Sequence, residues 1–223
     1  MLKSGTVECF WNDTSTRSRR SIAQSSCRAS ERIARFGGAL SLAVVNTPSS
    51  TVVAGDITAI DALIAELEAS GVYAKKVNVD YASHSAHVDG VVAELEALIA
   101  TLTPREAEIP FYSTVSGARA IGTELDASYW CRNLRQPVRF DRALEHLVAD
   151  GHGVFVEISA HPVLGMALAE AGGERAVVTG TLSRERGAIG ELYATLGVLH
   201  AQGVVVDWRA LHAPGGGRRV ELP

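Results

Sequence analysis

Short apolar runs alternate along this chain with longer segments whose apolar residues follow helical spacing. The runs with strand length and β-branched composition are SLAVVN at 41–46, TVVA at 51–54 and VFVEI at 154–158. Helical spacing is clearest at Ile60, Leu63, Ile64 and Leu67. Strands that alternate with helices predict an α/β fold, because each sheet face must bury its apolar side chains against helices.

The first regular part of the chain covers residues 28–80. A helix is predicted at 28–36, two strands follow, and a helix at 57–70, with Asp56 as its N-cap, precedes a strand at 75–79. This order predicts a small, incomplete ferredoxin-like α+β subdomain, a β-α-β-β-α-β unit that lacks its first strand. The missing strand would lie in the segment before residue 28.

Residues 81–203 contain a second set of alternating elements. The near-continuous apolar run at 154–158 is typical of a parallel strand buried on both faces. Further elements are predicted as a helix at 88–102, a helical turn at 129–133, a strand at 176–179 and a helix at 187–201. A short strand at 204–206 would open a linker over 204–223 that contains three consecutive glycines.

Residues 1–27 do not fit this pattern. The stretch NDTSTRSRRSIAQSS at 12–26 is polar, and its only larger aliphatic residue is Ile22. Such a segment buries too little apolar surface to offset its ordering entropy. We therefore expect residues 1–27 to be irregular, either disordered or altered relative to the sequence that would normally stand there.

Composition excludes several classes of function. The 223 residues are 47% hydrophobic with a formal net charge of −4, which favours neither nucleic acid nor an anionic membrane as a partner. The three cysteines, Cys9, Cys27 and Cys131, are too far apart for a metal-ligand motif and fit a reducing compartment. With no membrane-length apolar run and no secretory signal, we expect a cytoplasmic protein.

A histidine stands where a strand gives way to a helix, in the stretch VNVDYASHSAHVD at 77–89. Connections of this kind present side chains at the rim of a sheet, and His84 could exchange a proton near neutral pH. Local pattern alone favours the interpretation that His84 caps or hydrogen-bonds a turn, because one histidine is a weak signal of function.

Four segments, in order, resemble the acyltransferase domains of modular polyketide synthases. They are DYASHSAHVD at 80–89, FYSTVSG at 111–117, YWCRNLRQPVRF at 129–140 and VFVEISAHPVL at 154–164. The resemblance runs from about residue 28 to 208 and is to the C-terminal part of such a domain. It implies a partial, hydrolase-like parallel sheet. It also implies transfer of an extender unit from coenzyme A to the phosphopantetheine thiol of an acyl carrier protein, without a bound cofactor.

The resemblance also assigns roles to particular residues. His84 matches the general base, and the backbone carbonyl of Asn133 matches the group that orients it. Tyr81, Ala82 and Ser83 match substrate-side positions at which Y-A-S-H accompanies methylmalonyl use. No G-x-S-x-G nucleophile motif occurs in the 223 residues. The isolated chain is therefore expected to be inactive unless neighbouring synthase domains or the missing N-terminal half supply the serine.

Other hypotheses stay open at this point. The chain could be a non-catalytic remnant or interaction module of the same fold, because it lacks the nucleophile. His84, His87 and Asp89 could bind a metal. Catalytic zinc usually takes three protein ligands, however, and Asp89 is better explained as a helix-start residue favoured by the helix dipole, so the pattern marks no third ligand. Three arginines, Arg132, Arg135 and Arg139, are predicted as solvated surface, with contact to a carrier protein as the alternative.

Overall fold

A computed structural model describes residues 4–10, 23–77, 79, 81–184, 188–215 and 220. The chain comprises two compact units, Met1–His152 and Gly153–Pro223. Strands and helices alternate in both units, which confirms the α/β class. The predicted subdomain boundary after residue 80 stays a prediction.

The N-terminal unit begins with a β-α-β-β-α-β arrangement. Its elements are β1 Ser4–Phe10, α1 Ala23–Ala34, β2 Leu40–Val45, β3 Ser50–Asp56, α2 Ile57–Ala69 and β4 Tyr73–Val77. The strand order is β4-β1-β3-β2, with β1 antiparallel to both of its neighbours and β2 antiparallel to β3. This is a ferredoxin-like unit, and it is complete within the chain.

Strand β1 corrects the prediction of an irregular segment at residues 1–27. Val7 and Cys9 are fully buried under the helices, and the strand pairs on both edges. The apolar alternation in β1 is too short to stand out in the sequence. The strand is stabilised by partners that follow 40 or more residues later. Helix α1 also starts at Ala23, ahead of the predicted residue 28. Residues 1–3 and 11–22 of that segment lie outside the described residues.

One apolar core lies between this sheet and its two helices. Its buried members are Val7, Cys9, Ala29, Ile33, Leu40, Val53, Ile60, Leu63 and Leu67. Three of the four residues used to predict α2 from spacing are in this core, and the fourth, Ile64, packs against it. Burial, together with the nearby Glu8 carboxylate, raises the pKa of the Cys9 thiol to about 12, so Cys9 acts as a small apolar core residue.

The rest of the N-terminal unit adds one strand to this sheet. The elements are a 3-10 turn Ala86–Val88, α3 Asp89–Leu98, β5 Phe111–Ser113, β6 Ala118–Ala120, α4 Ala127–Arg135, β7 Val138–Arg139 and α5 Phe140–Ala149. Strand β7 pairs in parallel with β2, and β5 pairs antiparallel with β6. Helix α4 is longer than the predicted turn because Asp126 caps it by accepting a hydrogen bond from the Tyr129 amide.

The C-terminal unit contains β8 Val154–Glu157, α6 Gly165–Gly172, β9 Val177–Gly180, α7 Ala188–Ala201 and α8 Trp208–His212. Strands β8 and β9 pair in parallel, as predicted. Burial of β8 on both faces is wrong, since Val154 and Val156 are exposed and only Phe155 and Glu157 are buried. No helix among the described residues of either unit has the length and apolar content needed to cross a membrane.

The end of the chain differs from the predicted linker. Residues 204–206 form no strand and lead instead into α8, where Asp207 caps the helix by accepting a hydrogen bond from the Ala210 amide. Trp208 of α8 packs edge-on against His200 of α7. Residues 216–219 and 221–223 of the predicted linker lie outside the described residues.

Candidate active site

His84 occupies a strained turn between β4 and α3. Its φ is 59°, and it is the one non-glycine residue with positive φ in the part of the chain that the structure describes. Such a backbone costs free energy and persists only where neighbours fix it. Here the His84 amide donates to the Leu134 carbonyl at 3.0 Å. The buried Ser85 hydroxyl also donates to the Ala82 carbonyl at 2.6 Å and accepts a hydrogen bond from the His87 amide.

The imidazole of His84 is oriented by a second carbonyl. Its Nδ1 lies 2.8 Å from the carbonyl oxygen of Gln136. A carbonyl oxygen can only accept, so Nδ1 must carry the proton in this contact. In the neutral ring the lone pair is then on Nε2, which has no hydrogen-bond partner among the described residues. This tautomer is the one a general base needs.

The orienting carbonyl therefore belongs to Gln136, and its assignment to Asn133 is wrong. Helix α4 continues through Arg135, and Gln136 is extended, with φ −85° and ψ 159°, before Pro137. The last carbonyls of a helix lack intrahelical partners. His84 uses two carbonyls at this end, those of Leu134 and Gln136. The motif identified the segment, but only the folded helix end determines which carbonyl points at the ring.

An open, mainly apolar cavity of about 630 Å³ lies beside His84. Its lining residues are Tyr81, Ser83, His84, Leu95, Ile99, Leu102, Trp130, Asn133 and Leu134. Tyr81 and Ser83 are thus placed next to the candidate base, and Asn133 lies on the cavity wall. Ala82 does not line the cavity: it is 2% exposed and packs against Ala43 and Ala54. The expected contact of Ala82 with substrate does not fit this position, because the Ala82 side chain is packed into a core cluster.

The three residues considered as metal ligands have separate partners. His87 Nε2 lies 2.8 Å from Asp56 Oδ1, and Asp89 forms an ion pair with Arg135. Asp56 is at the N-cap position of α2, but its carboxylate makes no capping hydrogen bond, so that part of the prediction is wrong. Across the described residues, no three His, Cys, Asp or Glu side chains are arranged to hold a metal ion.

The three arginines also have partners within the unit. Arg132 donates to the Ser128 hydroxyl at 2.9 Å, and Arg135 pairs with Asp89. Arg139 is only partly exposed and forms a two-pronged ion pair with the buried Asp141. Sequence reasoning missed Asp141, for which the only signal was an acidic residue in the first turn of a helix, two positions after an arginine.

Comparison with known proteins extends these observations. A protein-family model described as acyl transferase domain matches residues 13–206, so the match begins ahead of residue 28, where the resemblance was expected to start. The chain is 49% identical over 194 residues to polyketide synthase GfsA of Streptomyces halstedii, covering 86% of this chain and 3% of that protein. It is 44% identical over 206 residues to erythronolide synthase EryA3 of Saccharopolyspora erythraea, covering 88% of this chain and 6% of that protein.

Solved structures show the same likeness. The acyltransferase domain from module 8 of the salinomycin polyketide synthase superposes with a TM-score of 0.82 at 43% identity, covering 92% of this chain and 46% of that one. The loading acyltransferase of the avermectin synthase superposes with a TM-score of 0.78 at 33% identity, covering 89% of this chain and 59% of that one. This chain thus spans about half the length of those solved acyltransferases and a small part of the curated synthases. It belongs to the acyl transferase domain family.

Proposed function

We propose that this chain supplies the general-base half of a polyketide synthase acyltransferase domain. The complete domain would transfer an extender unit from coenzyme A to the phosphopantetheine thiol of an acyl carrier protein. The observation that carries the proposal is the His84 ring, whose Nδ1 contacts the Gln136 carbonyl while its basic Nε2 has no described partner. A histidine held in this way at a cavity is suited to remove a proton from a nucleophile.

The chemistry would proceed in two balanced steps. A serine hydroxyl from the remainder of the domain attacks the acyl thioester, its proton passes to His84 Nε2, and coenzyme A leaves as the thiol with that proton. The carrier-protein thiol then gives its proton to Nε2 and attacks the serine ester, and the serine oxygen leaves with the proton. The Gln136 carbonyl stabilises the imidazolium formed in each step, because it accepts a hydrogen bond from Nδ1.

The remainder of the domain would bind on the apolar surface next to His84. Helix α3 buries none of its residues in the described structure, and Val91, Leu98 and Leu102 are exposed on or just after it. The apolar cavity wall continues this surface. The solved salinomycin acyltransferase has about twice the length of the matched region, so the same fold has further chain available to cover such a surface. The acyl carrier protein and neighbouring synthase domains are further proposed partners.

The first prediction concerns the chain on its own. Incubated with radiolabelled malonyl- or methylmalonyl-coenzyme A, the purified chain should acquire no stable acyl group, because it has no G-x-S-x-G serine to form the ester. Scintillation counting of the precipitated protein measures this. A complete acyltransferase domain is the positive control. Stoichiometric labelling of this chain alone would refute the assignment of the nucleophile to another segment.

Methylmalonyl is the proposed extender unit. Tyr81 and Ser83 both line the cavity beside His84, and the small Ser83 leaves space that a phenylalanine would fill. In a complete domain containing this chain, Tyr81→His with Ser83→Phe should lower methylmalonyl relative to malonyl transfer. A hydrophobic pocket discriminates one methylene by about 1–3 kcal/mol. We therefore expect the ratio of methylmalonyl to malonyl transfer to fall by about 10–200-fold.

A competition between the two thioesters, scored by the mass of the acylated carrier protein, measures this shift. The control is Tyr73→His, which changes an exposed tyrosine on β4 that does not line the cavity. An unchanged product ratio in a folded, active double variant would remove Tyr81 and Ser83 from substrate selection.

A further inference from the structure

The carbonyl that orients His84 belongs to a very short connection. Only Gln136, Pro137 and the two-residue strand β7 separate the end of α4 from the start of α5. Pro137 restricts the backbone on both sides. Strand β7 is further held by its parallel pairing with Val44 and Val45 of β2.

A partly buried ion pair lies at the end of this connection. The Asp141 side chain is fully buried in the first turn of α5, and its two oxygens accept hydrogen bonds from Arg139 Nε at 3.0 Å and Nη2 at 2.7 Å. Arg142 is less well placed, with its Nε 4.0 Å from Asp141 Oδ2. Two parallel N–H···O bonds fix the orientation of a guanidinium as well as its position.

The backbone of Arg139 is held as well. Its amide donates to the Thr114 carbonyl at 2.7 Å. The loop that contains Thr114 is tied back to α4, because the buried Ser113 hydroxyl lies 2.8 Å from the Tyr129 hydroxyl. Arg139 is therefore fixed through its side chain at α5 and through its amide at a loop anchored on α4, three residues from the carbonyl that contacts His84.

We propose that Arg139 and Asp141 are positioning residues for His84. Their two-pronged ion pair fixes β7 and thereby aims the Gln136 carbonyl at Nδ1, which selects the tautomer with a basic Nε2. This inference rests on the proposed function of His84 as general base. Neither residue is assigned a contact with substrate.

The competing explanation is that the pair contributes only to stability. Breaking a buried pair leaves an uncompensated charge and destabilises a protein wherever the pair lies. Loss of stability or of activity in a variant would not separate the two explanations. The fraction of His84 that carries its proton on Nδ1 does separate them, because a purely stabilising pair has no reason to affect the tautomer in molecules that remain folded.

The experiment uses the whole 223-residue chain, uniformly labelled with ¹⁵N and ¹³C. Imidazole nitrogen–carbon correlation spectra of the neutral ring report the tautomer, and the signal missing in His84→Asn assigns that residue. We expect the unaltered chain to hold nearly all of His84 with Nδ1 protonated. In Asp141→Asn, we expect the Nδ1-protonated form to become the minor tautomer, as it is for imidazole side chains in water.

A second variant tests the proposal in case Asp141→Asn does not fold. Arg139→Met combined with Asp141→Leu removes both charges and leaves none unpaired, so it is expected to fold. It should show the same loss of the Nδ1-protonated form. Arg142→Gln is the matched control on the same helix, and it should leave His84 unchanged. An unaltered His84 tautomer in either folded variant that lacks the pair would overturn the proposal.

The tautomer measurement involves no acyl transfer, so its result is independent of the test of His84 as a general base. A wild-type tautomer in the folded Arg139→Met, Asp141→Leu chain would defeat the positioning role and leave His84 as a candidate base. A complete domain that stays active without His84 would defeat the proposed function and leave the link between the ion pair and the tautomer intact.

Discussion

Replacing His84 by alanine in a complete acyltransferase domain that contains this chain should slow formation of the acyl-serine by about 10²–10⁴-fold, the usual contribution of a general base. The expected loss follows from the site: Nδ1 is engaged by the Gln136 carbonyl, and Nε2 is the nitrogen available to take the serine proton. The protein should stay folded, because the His84 side chain belongs to neither buried core cluster.

Single-turnover labelling with methylmalonyl-coenzyme A measures this rate, with the first half of the domain supplied from a similar acyltransferase. His87→Ala is the matched control. His87 is three residues away and pairs with Asp56, so its loss should have a much smaller effect on the rate. Equal losses at both positions, reversed by added zinc, would instead favour the metal hypothesis.

Among Gly→Ala substitutions in the ferredoxin-like unit, Gly55→Ala should lower the stability of the protein most. Gly55 lies in β3 with φ +156°, and a Cβ there would be 2.0 Å from the Ala39 carbonyl oxygen and 3.0 Å from the Leu40 Cα. Both atoms are backbone, and the same Ala39 oxygen accepts a hydrogen bond from the Asp56 amide. Relief of the clash therefore requires β2 and β3 to separate locally, and we expect a loss of about 3 kcal/mol or more.

Thermal unfolding of the purified chain tests this expectation. A loss of that size corresponds to a fall in Tm of about 6–12 °C for a protein of this length. The control is Gly90→Ala, at the second residue of α3, where an added Cβ meets nothing within 4 Å. Because alanine favours helix over glycine by about 0.5–1 kcal/mol, that variant should be neutral or slightly more stable. Equal melting temperatures for the two variants would contradict the steric argument.

Local sequence was sufficient where one element buries its own apolar stripe. The spacing of Ile60, Leu63 and Leu67 predicted α2, and all three are in the core. Local sequence was misleading where the burial of a segment depends on partners that are distant along the chain. Strand β1 reads as part of an irregular segment, and its Val7 and Cys9 are buried only because β3 and β4 pair with it on either side.

The features of the candidate site also fall into those that the sequence predicts and those that require the fold. Sequence patterns predicted that His84 follows a strand and that a helical turn at 129–133 precedes Pro137, and the family resemblance placed both segments in one set of motifs. Only the folded chain shows that Gln136 and not Asn133 faces the ring, that Ala82 packs into the core, and that Arg139 is held by Asp141. The physical reason is that motif spacing fixes which segments meet, whereas the direction of a carbonyl or side chain depends on where each helix ends and which groups remain unpaired there.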